Sequence, residues 1–104
     1  MPLTRDFKDT IQKRASRDAG FRAALLREAV DAMLSGEVET GKAVLRNYIN
    51  ATVGFDKLAT VTKKSPKSLM RMLGPKGNPQ ARNFFDIVAY LQKREGVRLK
   101  VRAD

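Results

Sequence analysis

A chain of 104 residues and 11.6 kDa has the size of one domain, and an apolar share of 42% is enough for an ordinary globular core. It contains no Cys and no His, which excludes disulfides, thiolate chemistry, imidazole metal ligands and a histidine general base. The net charge of +10 asks for a polyanionic partner.

The charge is unevenly placed. Residues 21–54 carry four bases and four acids, whereas residues 55–104 carry twelve bases against four acids. Between Asp56 and Asp86 there are seven bases and no acid. A solvated basic face is the bland reading of such a run. The balanced middle of the chain favours binding to a polyanion instead. No stretch approaches the ~20 apolar residues of a membrane span, and MPLTRDFKDT has no signal-peptide core, so a soluble cytoplasmic chain is expected.

In chain order, Phe7, Ile11 and Ala15 recur at fours and predict a first helix over residues 5–17 with a narrow apolar stripe. Asp18, Ala19 and Gly20 mark a break. Residues 21–34 form a strong helix, with Phe21, Leu25, Ala29, Ala32 and Met33 on one side and Leu26, Val30 and Leu34 beside them. Gly36 closes it. A third helix is predicted over residues 38–52, with Ala43, Val44, Tyr48 and Ile49 inward. Two short helices follow, over residues 55–61 and 66–73. A last helix over residues 80–94 turns Phe84, Phe85, Ile87, Val88 and Leu91 toward the core. Residues 97–102, VRLKVR, alternate strictly and predict a β-strand. One strand makes no sheet, so this segment pairs with a mate in a dimer, augments another chain's sheet, or remains a solvated tail.

The fold class is therefore all-α, a bundle of five to six helices with a short C-terminal strand. Residues 1–20 read as an N-terminal helical extension and 21–104 as the main domain.

The two short helices have the parts of a helix-turn-helix. Such a unit needs two helices of about two turns, locked by a few apolar contacts, the second slim enough for the major groove. Leu58 and Ala59 supply the first helix's contact, and Ala59 leaves room for close approach. Ser65 is an N-cap and Pro66 a first-turn proline. Leu69, Met72 and Leu73 form the inward stripe, leaving Ser65, Lys67, Ser68, Met70 and Arg71 outward. Gly74 and Pro75 stop the helix, and a turn-rich loop runs to Pro79.

LATVTKKSPKSLMRMLGPKGNPQ, followed by an apolar helix and VRLKV, resembles the HigA-type antidotes of type II toxin–antitoxin modules. Leu58, Ala59, Ser65, Ser68, Leu69, Arg71, Leu73 and the run Gly77, Asn78, Pro79 carry the resemblance. It implies a lambda-repressor-like (Xre/Cro-type) helix-turn-helix, repression of the protein's own operon, and a RelE/HigB-like ribonuclease toxin as a second partner. Charge asymmetry would put a toxin surface on residues 1–51. The sequence departs from the pattern in the turn, where Lys63 and Lys64 replace the usual Gly and apolar residue. Val61 is then the candidate apolar plug. The polar run Gln92, Lys93, Arg94, Glu95 is a second departure.

On this reading Lys63, Lys64, Lys76 and Arg82 neutralise phosphates, and Ser65, Ser68 and Asn78 fix register on the DNA backbone. Arg71 is the foremost base reader, suited to a bidentate contact with guanine; Lys67 is a second, able to serve a phosphate as well, and Met70 suits a thymine methyl. Binding as a homodimer to half-sites of a double-stranded operator is expected. Two rivals use the same face: a stand-alone transcriptional or phage-type repressor, and a non-specific nucleic-acid binder. Scattered acids and the lack of a Gly-rich phosphate loop after a strand point away from an enzyme, a metal site or a cofactor.

Overall fold

The structure, a computed structural model, describes residues 5–104, with side chains from Asp9 onward. Its six helices are α1 (Arg5–Ala15), α2 (Ala19–Leu34), α3 (Val38–Ala51), α4 (Phe55–Thr62), α5 (Pro66–Met72) and α6 (Ala81–Glu95). The chain is thus all-helical over the described residues. None of these helices is long and apolar enough to cross a membrane. Phe7, expected on the α1 stripe, lies outside the described side chains.

The α2–α3 pair is the centre of the packing, and α1 lies against both of its helices. Leu25, Leu26 and Ala29 of α2 meet Leu45, Tyr48 and Ile49 of α3 in a core that also takes Ala15 from α1. Helices α4 and α6 close this core with Phe55, Leu58, Phe84, Ile87, Val88 and Leu91, and α5 adds Leu69. Apolar residues at three- and four-residue spacing create these faces, and their removal from water is the main stabilising term. Asp18 starts α2 by accepting the Phe21 N–H at 3.0 Å. That bond, aided by Arg14, holds the Asp18 carboxyl below its ordinary pKa.

One polar network ties four helices together. Glu95 of α6 accepts from Tyr48 Oη at 2.6 Å and from Arg22 Nε at 3.0 and 3.1 Å. Arg22 Nη1 also donates to the Ala15 carbonyl at 2.8 Å, bringing in the end of α1. Burial, then the bond to Glu95 and its charge, push the Tyr48 phenol well above its ordinary range, so it stays a donor. The carboxylate is nearly buried, and a buried charge is tolerated when its oxygens are matched by donors in this way.

Three expectations change. Among the described residues no strand forms, because residues 97–102 have no second strand with which to build a ladder. Their alternation is nonetheless real: Val97 and Leu99 pack on the core while Arg98 and Lys100 face outward. Phe85 does not enter the core. It is 58% exposed and meets Phe84 edge-on, with ring centres 5.3 Å apart. Leu34, at the end of α2, is 61% exposed. In both helices the buried stripe is narrower than the run of apolar residues.

Candidate nucleic-acid interface

The region from Phe55 to Gln80 is built around α5. Its N-terminal end is fixed locally. Helix α4 ends on Lys63, whose backbone is left-handed at φ 58° and ψ 36°, while its N–H donates back to the Ala59 carbonyl. This is the non-glycine residue of positive φ among the described residues. The conformation turns the chain within three residues from α4 to α5, at a cost of about 1–2 kcal/mol for a side chain with a Cβ. Ser65 then caps α5: its Oγ accepts the Ser68 N–H at 3.0 Å, and Pro66 opens the helix.

Val61 does not plug the turn; it is 45% exposed. Lys64 is half-buried instead and lines a hollow with Asn83, Asp86 and Tyr90 of α6. A lysine can occupy such a place because its four-carbon stem covers apolar surface while its head stays hydrated.

Helix α5 packs on α4, burying Leu69, and Leu73 just beyond its end is also fully buried. Lys67, Ser68, Met70 and Arg71 are exposed, and Met70 keeps 48% of its surface in water. The outward and inward sets therefore separate as their spacing predicts. Met72 is half-buried between them.

The C-terminal end of α5 is held from a distance, by residues that the sequence reading did not single out. Lys42 of α3 is fully buried, with Nζ 2.9 Å from the Gly74 carbonyl and 2.7 Å from that of Gly77. Its charge is balanced by Glu39 Oε2 at 2.9 Å, a carboxylate that remains mostly exposed. One turn further along α3, Arg46 Nη1 donates to the Leu73 carbonyl. Two cations thus meet the Leu73 carbonyl at the end of α5 and two carbonyls just beyond it, of which that of Gly74 also accepts the Gly77 N–H at 3.0 Å; positive charge is favoured at this end of a helix. The signal was available in outline. Lys42 precedes Leu45 by three residues and Ile49 by seven, which places it on the buried face of α3.

The loop after α5 folds back tightly on the helix. A Cβ built at Gly77 would lie 2.1 Å from the Arg71 carbonyl oxygen and 2.4 Å from that of Met72. No side chain fits there, so glycine is required by the close approach of two backbones. This fold gathers Arg71, Lys76 and Asn78 around one hollow, together with Gln80 and Asn83 at the start of α6. The first turn of α6 has no acidic residue and no side-chain cap, and Arg82 is exposed on it.

Of the ten residues singled out from the sequence, nine are exposed and Lys64 is half-buried. Arg71, Lys76 and Asn78 share one hollow; Lys63, Lys64 and Ser65 sit at the opposite end of α5, in the turn. Among the described residues, none of the seven bases from Lys57 to Arg82 is engaged in an ion pair. All of that charge is available to an external anion.

Comparison of this chain with family models, with curated proteins and with solved structures found no match.

Proposed function

We propose that this chain is a sequence-specific binder of double-stranded DNA that lays α5 in the major groove. The observation that carries the reading is one short helix, fixed at both ends, whose exposed side is Lys67, Ser68, Met70 and Arg71. Bases with no ion-pair partner among the described residues flank it on both sides. Phosphate neutralisation by Lys63, Lys64, Lys76 and Arg82 supplies most of the affinity and makes it salt-dependent. Arg71 and Lys67 reach base edges, and Met70 meets a thymine methyl. Ser65, Ser68 and Asn78 set register. Because a single unit of this size binds weakly, two chains occupy half-sites about one helical turn apart.

The resemblance to HigA-type antidotes supplies the biological setting: a cytoplasmic antitoxin that represses its own operon and holds a RelE/HigB-like toxin. The toxin rests on that resemblance alone. Selection of bound fragments from random DNA, read at two salt concentrations, tests the DNA reading. A palindromic motif that persists at the higher salt is the expected result. Equal recovery of all sequences, lost together as salt rises, would leave a general polyanion binder. Co-expression with the neighbouring reading frame tests the toxin, and recovery of this chain alone would remove it.

A further inference from the structure

Away from α5, residues of α2, α6 and the C-terminal segment enclose a groove of about 520 Å³. Three of the large apolar side chains left in water lie on it: Leu34 at 61% exposure, Phe85 at 58% and Val101 at 80%. No residue of α4 or α5 lines it. Isolated exposed apolar residues need no explanation, but three converging on one concavity mark a surface that is covered in use.

One wall of the groove is the segment 97–101, and its backbone is half-satisfied. The Val97 N–H donates to the Gln92 carbonyl at 3.1 Å and the Leu99 N–H to Gln92 Oε1 at 2.7 Å. Gln92 therefore occupies one edge of the segment. The intervening amides, those of Arg98 and Lys100, have no hydrogen-bond partner among the described residues; successive amides of an extended segment point to opposite edges, which assigns these two to the other edge. A free edge beside an apolar trough is the arrangement that accepts an added strand.

Charge selects the occupant. Arg27, Arg98 and Lys100 line the groove against a single acid, Asp31. A second copy of this chain, pairing through the same segment, would set Arg98, Lys100 and Arg102 against their own equivalents, and like charges opposite one another destabilise a strand pair. We infer that the groove binds an extended segment of another protein in which apolar residues alternate with Asp or Glu. The apolar side chains enter between Leu34, Phe85 and Val101, the acids meet Arg27, Arg98 and Lys100, and the backbone pairs with the free edge. This inference is independent of the DNA reading, because α5 contributes nothing to the groove.

The test uses the full chain and a displayed library of random ten-residue peptides. An enriched motif alternating apolar and acidic residues is expected, with protection of the Arg98 and Lys100 amides from hydrogen exchange when a synthetic peptide of that motif is added. Phe85→Ser, a change at a mostly exposed position, should weaken that peptide at least about tenfold, and Lys100→Glu should weaken it while leaving the fold and DNA affinity near those of the parent. No enrichment, a motif without acids, or binding indifferent to Lys100→Glu would overturn the inference. So would a dimer in sedimentation that Phe85→Ser dissociates, since the occupant would then be a second copy.

Discussion

The two ends of α5 are fixed by different physics. At the N-terminal end the constraints are local: a left-handed Lys63, a Ser65 cap on Ser68 and a first-turn proline, all within six residues. At the C-terminal end they are remote. Lys42 reaches Gly74 and Gly77 from 32 and 35 positions earlier, and Arg46 reaches Leu73 from 27. The first end can be set by any chain with the right few residues. The second exists only once α3 is packed, so the pose of α5 depends on the integrity of the scaffold.

That contrast can be broken by substitution, and the C-terminal end, where a close backbone approach at Gly77 adds to the remote contacts, should yield the larger effects. Gly77→Ala drives a Cβ into two carbonyl oxygens that belong to backbone rather than to flexible side chains. A destabilisation of roughly 3 kcal/mol or more in urea unfolding is expected, because the loop or the end of α5 must move. Lys42→Met keeps much of the side-chain volume but leaves the Gly74 and Gly77 carbonyls without their shared donor. It should cost about 3 kcal/mol, and DNA affinity measured where the protein is still folded should fall with it. A Lys42→Met protein with unchanged stability and affinity would mean that the remote clamp does nothing.

Changes at the local end should be smaller. Ser65→Ala removes the cap and is expected to cost ~1 kcal/mol in the same unfolding measurement. Lys63→Gly has the opposite sign. Relief of the left-handed backbone outweighs the added freedom of the unfolded chain, so stability should rise by up to ~1 kcal/mol. The same change removes one cation, so the dependence of DNA binding on salt should become shallower by about one phosphate contact. A Lys63→Gly protein that is less stable than the parent would show that the turn draws on the lysine side chain and not merely tolerates its backbone.

The same division explains what could be read from the sequence. The helix order, the cap at Ser65 and the separation of Leu69 and Leu73 inward from Lys67 and Arg71 outward all follow from spacing within a few residues, whereas the break expected over Asp18, Ala19 and Gly20 ends at Asp18, because its cap starts α2 at Ala19. Lys42 was hidden because a lysine between two balanced acids and bases looks like surface; its burial comes from two carbonyls that approach only in the folded chain. Phe85 departs from its expected place in the core for the complementary reason. Phe84, Ile87, Val88 and Leu91 already fill the buried stripe of α6, and an adjacent residue projects about 100° away. The polar run before the C-terminal segment also acquired a purpose only in three dimensions. Gln92 anchors the segment and Glu95 centres the network of Tyr48 and Arg22. The strand pattern of residues 97–102 was legible, but pairing needs a mate, and the described residues contain no second strand.

The central claim is that the exposed side of α5 reads bases. Arg71 tests it most directly, since it is exposed, has no ion pair among the described residues and lies one turn beyond Lys67. The decisive measurement is the affinity of Arg71→Ala for the selected DNA site and for its single-base variants at fixed salt. A loss of ~1–3 kcal/mol on the parent site is expected, with lost discrimination at one base pair per half-site and the other positions still distinguished. Uniform weakening across every variant, or no change at all, would contradict it.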